Sequence, residues 1–272
     1  AQGLVENVQI LSSNLVSNGD FSQEGAQEVS NGDFSQEGSQ LITNGNFATD
    51  SAWSKGGNWS INGGTANSNG SSGNLYQSSV VEIGKSYLCE FEITSITSGS
   101  VAINAGGITT GTSRTSIGKY SEILYVVSGS NDRAYIISQG FTGSIDNVSV
   151  KEVGQDWALG GSGSNTASIG SNSATITSVD GNSYIQQNSV LTSGKSYKIS
   201  YEILSSSGSS VLKMISSLGL ATVPTTVGTH TVYGTAVSTT FYIERVSNGM
   251  NATITNISVK EVGQDWALGT GW

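Results

Sequence analysis

Very few side chains in this sequence could do covalent chemistry. His230 is the only histidine and Cys89 the only cysteine among 272 residues. One histidine excludes a multi-histidine metal site, and serine is too plentiful for its presence to mark a nucleophile. Cys89 falls on the inward side of an alternating stretch and reads as a small apolar core residue. Glu90 and Glu92 share one strand face at a spacing that could mimic paired glycosidase carboxylates, but a solvated strand face accounts for them. No glycine-rich phosphate loop follows a strand and opens a helix. Catalysis is therefore not expected. Flat aromatic rings and side-chain amides are more abundant, and they suit the faces and hydroxyls of a pyranose. Trp59, Tyr76, Gln77 and Tyr120 in the first half, with Gln187 and Tyr233 in the second, are the candidate glycan contacts. Packing competes for the same residue types: Tyr87 and Tyr197 read as core, and Trp53, Trp157 and Trp266 fall at joins between repeats. Gln77 and Gln187 occupy matching strand positions, open to a ligand or to solvent.

The elements that would hold these residues are repeated. VKEVGQDWALG runs from Val150 to Gly160 and again from Val259 to Gly269. VSNGDFSQEG runs from Val16 to Gly25 and from Val29 to Gly38, and ITNGNF (Ile42–Phe47) begins a looser third copy. A repeat near 110 residues suits a whole domain, whereas one of 13 suits a strand plus its turn. Gly84-Lys85-Ser86-Tyr87 aligns with Gly194-Lys195-Ser196-Tyr197, and Asn147–Val150 with Asn256–Val259. Tyr87, Cys89, Phe91 and Ile93 share one strand face opposite Glu90 and Glu92. Tyr197, Ile199, Tyr201 and Ile203 do the same in the second half. Turn signals separate such runs, giving roughly eight to ten short strands per unit.

Composition agrees. Only 11% of residues are charged, with 36 Gly and one Pro, and no long stretch has helical period. The reading is all-β: two tandem antiparallel β-sandwich (jelly-roll) domains after a short N-terminal strand-repeat segment. The expected boundaries are 1–40 for the repeat segment, 41–153 and 154–263 for the sandwiches, and 264–272 for the start of a third module or an assembly strand. Net charge is −9 and the 11 Lys and Arg never cluster, so no footprint for nucleic acid exists. No apolar run approaches a membrane span, and no membrane insertion is expected. One cysteine leaves no internal disulfide framework.

In order, Leu41–Phe47 with Trp53, then Leu75-Tyr76-Gln77, Gly84–Tyr87 and Ile145–Val150 resemble family 4/9-type carbohydrate-binding modules, jelly rolls of galactose-binding-like fold. The resemblance covers 41–153 and, more weakly, 154–263. The NGDF openings and VKEV closes are similar to modules of bacteriophage tail and fibre proteins. What the resemblance implies is a non-catalytic extracellular or virion-surface fibre protein that self-associates as a fibre or trimer and contacts cell-surface glycans. Two alternatives stay open: a bacterial or archaeal filament subunit assembled by β-strand addition, and the ancillary glycan-binding region of a polysaccharide-degrading enzyme. No cofactor is expected beyond the structural calcium that such modules often hold. Its ligands here would be Asn44, Asn46 and Asp146, although Ala48 stands where the family has an acidic residue and Thr255 replaces Asp146 in the second unit.

Residues 15–40 carry two opening strands without a domain directly behind them, and unpaired strand edges are normally covered. Phe21, Phe34, Trp266 and Trp272 are accordingly the assembly candidates. Three arrangements are open: part of a long multi-module fibre, rungs stacked about a trimer axis, or strands that complete a neighbouring subunit.

Overall fold

The computed structural model describes residues 16–264, apart from 21, 72, 162–163, 171, 209–210 and 246–248. Phe21, Trp266 and Trp272 lie outside the described residues. The chain forms two antiparallel β-sandwiches, as its alternation requires. Tyr87, Cys89, Phe91 and Ile93 are buried in one core, and Tyr197, Ile199, Tyr201 and Ile203 in the other.

Two long strands, Ser86–Ala105 and Ala134–Val153, dominate the first sandwich. They pair antiparallel along almost their whole length, with register shifts near Gly140, Ser144 and Asn147. Such bulges bend a strand, so each long strand serves both layers. One layer adds Gly118–Tyr125, Thr65–Asn69 and Trp59–Asn62, and the other adds Gly73–Gln77, Ser54–Lys55 and Thr109–Thr110. In the second sandwich the layers are separate sheets. One runs Thr166–Gly170, Ser173–Ser178, Met250–Val262, Ser196–Gly208, Gly228–Thr235. The other runs Ala158–Gly161, Ser183–Gln187, Phe241–Arg245, Leu212–Met214, Leu220–Val223.

The N-terminal repeats are divided between the two sandwiches. The lead strand Glu37–Gln40 pairs with the closing strand of the first sandwich, Val153 opposite Glu37 and Lys151 opposite Gln40. The lead strand Glu24–Gln27, one repeat earlier, pairs instead with the closing strand of the second sandwich, Val262 opposite Glu24 and Lys260 opposite Gln27. Behind each lead strand comes an opening turn. Ile42 and Phe47 enter the first core, whereas Val29 and Phe34 enter the second. The segment that sequence places ahead of both domains is thus the missing opening of the second. The first sandwich is inserted between that opening and the rest of its own domain.

The two turns are built alike. Asn44 and Phe47 have φ of 53° and 49°, and Asn31 and Phe34 have φ of 46° and 57°. The Val148 N–H donates to Gly45 O and the Ile257 N–H to Gly32 O, both at 2.9 Å. A Cβ on Gly45 would lie 2.0 Å from Val148 O, and one on Gly32 2.0 Å from Ile257 O, so the motif demands glycine there.

Candidate functional site

The best-defined polar constellation is the opening clasp, present once in each sandwich. A buried glutamine grips the backbone of the opening strand with both ends of its carboxamide. Gln77 Oε1 accepts the Thr43 N–H at 3.1 Å while its Nε2 donates to Thr43 O at 2.6 Å. Gln187 treats Ser30 in the same way, at 3.0 and 2.6 Å. A tryptophan then closes over the turn. The Trp53 indole N–H donates to Asn44 O at 3.0 Å, with its ring 5.3 Å from Phe47. The Trp157 indole N–H donates to Asn31 O at 2.9 Å, with its ring 5.2 Å from Phe34. Asn44 and Trp53 are near neighbours in sequence, but the whole first sandwich separates Asn31 from Trp157.

This geometry corrects part of the glycan set. Gln77 and Gln187 face the opening strands rather than a ligand or solvent, and both are buried. Trp59 is buried too: its indole N–H donates to Gly73 O at 3.2 Å and its ring stacks on Phe141 at 6.2 Å. The two glutamines spend both ends of their carboxamides on the opening strands, whereas Trp59 also lines a shallow pocket with Asn58, Asn67 and Asn69. Tyr120 is half-buried. Its hydroxyl donates to Ser116 O at 2.7 Å, its ring lies 5.6 Å from Phe91, and the Arg114 guanidinium sits 4.8 Å above it. Tyr233 is 61% exposed. Phe34, an assembly candidate, is a core residue of the second sandwich.

Tyr76 stays half-exposed on the outer face of its layer, and the structure adds a neighbour. Tyr135 lies directly opposite on the next strand, ring centroids 5.4 Å apart. Arg133 stacks 4.8 Å over Tyr76, and Asn131 Nδ2 donates to the Tyr135 hydroxyl at 2.9 Å. The corresponding face of the second sandwich carries Tyr184 and Tyr242, 5.7 Å apart. Alternation along Ala134–Ile137 and Phe241–Glu244 puts Tyr135 and Tyr242 on the outer face, but cross-strand pairing needs the register. Elsewhere on the first sandwich, Glu90, Glu92, Lys119, Ser121 and Asn147 line a shallow groove of about 220 Å³. Asn147 Nδ2 donates to Glu92 at 3.0 Å there, as Asn256 does to Glu202 at 2.7 Å in the second sandwich.

The calcium set does not fit a cation. Asn44 turns its amide nitrogen, not its oxygen, toward Thr49 O and Ser51 O at 2.7 and 3.0 Å, so an –NH2 group already satisfies those carbonyls. Asn46 Oδ1 faces the Ala48 N–H at 3.4 Å, and Asp146 Oδ1 accepts from the Asn147 N–H at 2.7 Å. Calcium needs six or more oxygens converging on one point. Among the described residues no group of three or more His, Cys, Asp or Glu could hold a metal.

His230 and Cys89 have packing surroundings. His230 Nε2 meets Thr226 O at 2.6 Å and its ring lies 5.5 Å from Tyr201, repeating what Tyr120 does with Ser116 and Phe91. Cys89 is 1% exposed, and burial pushes its thiol far above the ordinary cysteine range. Among the described residues, no helix is long and apolar enough to cross a membrane.

No protein-family model and no curated protein matches this chain. Among solved structures, the N-terminal CBM22-1–CBM22-2 tandem domain of Xyn10C from Paenibacillus barcinonensis aligns over 83% of this chain and 97% of that one. The TM-score is 0.31 at 10% sequence identity, too slight a likeness to carry over a ligand.

Proposed function

We propose that this chain is a non-catalytic structural and adhesive segment of an extracellular fibre, with the first sandwich as its tip. The supporting observation is where the chain crosses between sandwiches. Val153 pairs with Glu37 at the seam. Beside them the Gln155 carboxamide, turned to suit both neighbours, donates to Gln36 O at 3.2 Å and accepts from the Gly38 N–H at 3.1 Å. The chain therefore enters and leaves the first sandwich at one end. Packing stiffens the joint: Val153 belongs to the second core, and Leu88 and Ile123 of the first sandwich pack against it. A module tied at one end and free at the other suits a terminal position.

The sequence resemblance favours a phage tail fibre or virion appendage over a cellular filament or an enzyme's ancillary region. Immunoelectron microscopy of the native source particles, with antibodies against this chain, tests the assignment. Label at fibre tips is expected, and label along the shafts or on no fibre would sink it.

The paired tyrosines favour a second, compatible role in glycan contact. Tyr76–Tyr135 and Tyr184–Tyr242 each present two rings on an outer face, and weak sites gain strength by multiplicity. On a glycan array the signal of the full chain should fall in the Tyr76→Ala/Tyr135→Ala variant and vanish when Tyr184→Ala/Tyr242→Ala is added, and a signal unchanged in the fourfold variant would refute this role.

A further inference from the structure

The hairpin of Trp59–Asn62 and Thr65–Asn69 carries a pocket of about 220 Å³ at one end of the first sandwich, walled by Asn58, Trp59, Ser60, Asn67, Ser68 and Asn69. Asn69 pairs with Thr142, far along the closing strand from Val153, so the pocket lies away from the seam with the second sandwich. Asn58 is only 3% exposed. Its Nδ2 donates to Ser68 Oγ at 3.0 Å. Its Oδ1 is buried without a hydrogen-bond partner, against Gly73, where an added Cβ would stand 2.0 Å from it. A buried acceptor with no donor is costly, and a ligand hydroxyl would relieve that cost. Two more amide groups are open among the described residues. Asn67 commits its Nδ2 to Thr65 O and Oγ1, both at 3.2 Å, and keeps its Oδ1. Asn69 Oδ1 accepts the Ser71 N–H at 3.1 Å, which leaves its Nδ2.

The fold does not require these side chains. In the second sandwich the same hairpin is built by Thr166–Gly170 and Ser173–Ser178. It docks on the closing strand in the same register, Ala174 opposite Ile254 as Ala66 is opposite Ile145. Thr166, Ala167, Thr175, Ile176 and Thr177 then stand where the first sandwich has Asn58, Trp59, Asn67, Ser68 and Asn69. An identical hairpin therefore forms without the indole and without the three amides. Their presence in one copy alone points to a ligand rather than to folding.

We propose that this pocket binds a single neutral sugar ring. None of the residues lining it is charged, which disfavours an ionic ligand. Asn58 Oδ1 and Asn67 Oδ1 accept, Asn69 Nδ2 donates, and the Ser60 and Ser68 hydroxyls accept from Asn62 and Asn58 while keeping their protons to donate. Neighbouring sugar hydroxyls, each a donor and an acceptor, match that mixture. Trp59 supplies the flat apolar wall. The volume falls below the roughly 300–1,000 Å³ of pockets for drug-sized ligands, so it suits one ring rather than a length of chain. The site is separate from the paired tyrosines, and the proposal does not rest on the fibre reading.

The test titrates the full chain with D-glucose, D-galactose, D-mannose and N-acetyl-D-glucosamine, followed by amide NMR. At least one sugar should shift the side-chain amides of Asn58, Asn67 and Asn69 and leave the backbone amides of Thr166, Thr175 and Thr177 unmoved. Asn67→Thr/Asn69→Thr introduces the residues that the second sandwich carries, so it should keep the urea midpoint and weaken binding at least tenfold. Asn69→Ala, at an exposed side chain, should weaken it alone. D-glucuronate should bind no more tightly than D-glucose. The proposal is overturned if none of the four sugars shifts the three amides, if both variants bind as before, or if glucuronate binds tenfold more tightly. Shifts confined to Tyr76 and Tyr135 would also overturn it, while supporting glycan contact at the tyrosine pair.

Discussion

Identical opening repeats make the two sandwiches respond unequally to the same lesion. A valine at Gly45 or at Gly32 would place its Cβ 2.0 Å from a backbone carbonyl oxygen, so either substitution should expel its opening strand. For the second sandwich, expulsion unburies Val29 and Phe34 at about 2–3 kcal/mol each. It also strips partners from the Trp157 indole and the Gln187 carboxamide, at about 1 kcal/mol per bond. The total is about 6 kcal/mol or more, and the first sandwich faces a similar loss at Gly45. Only the opening of the second sandwich has a second exact copy in the sequence. Residues 16–23 repeat 29–36 and can slip into the vacated site. The slip adds 13 residues to the link with Glu37, for a closure cost of about 1.5 kcal/mol. It also forfeits the Gln27 bonds to Ile257 O and the Val259 N–H, because Asn14 stands at that place of the repeat. That adds about 1–2 kcal/mol. Gly32→Val should therefore cost about 3 kcal/mol where Gly45→Val costs about twice as much, and Gly19→Val/Gly32→Val should recover the full loss. Native-state hydrogen exchange reads each core separately, at Ile199 and Ile254 for the second sandwich and at Ile93 and Ile136 for the first. Equal losses for Gly32→Val and Gly45→Val, with nothing added by Gly19→Val, would refute the slip.

Three further outcomes follow from the same contacts. Gln77→Ala orphans the N–H and carbonyl of Thr43 and should destabilise the first sandwich by about 2–4 kcal/mol in urea unfolding, leaving the second unaffected. Glu24 is held below the ordinary glutamate range by its bonds to Lys198 and Lys260, so its contribution is present at neutral pH and disappears as pH falls through that lowered value. Acid titration followed by exchange at Gln27 should show this loss, and Glu24→Gln should remove it. The buried Cys89 thiol should resist alkylation at pH 8 in the native protein and react on unfolding, so its modification rate reports opening of the first sandwich.

The alternation of Tyr87–Ile93 and Tyr197–Ile203 was legible because a strand's period depends on local geometry alone. The duplicated GKSY and VKEV strings were equally legible, and they meet as Lys85–Glu152 at 3.1 Å and Lys195–Glu261 at 2.9 Å. Orientation was less accessible. Gln77 and Trp59 look like ligand-binding residue types, but composition cannot say whether a polar side chain meets solvent or an adjacent backbone. The Tyr76–Tyr135 pair was half visible, since the register that opposes them is set 59 residues apart. Sequence by itself determined the all-β class, the two-fold repetition and the residues of the opening turn. Only the tertiary structure decided which sandwich each opening closes. A strand edge and an apolar pair are satisfied by any matching partner, near or far, and the partner of Asn31 and Phe34 lies beyond an entire folded domain.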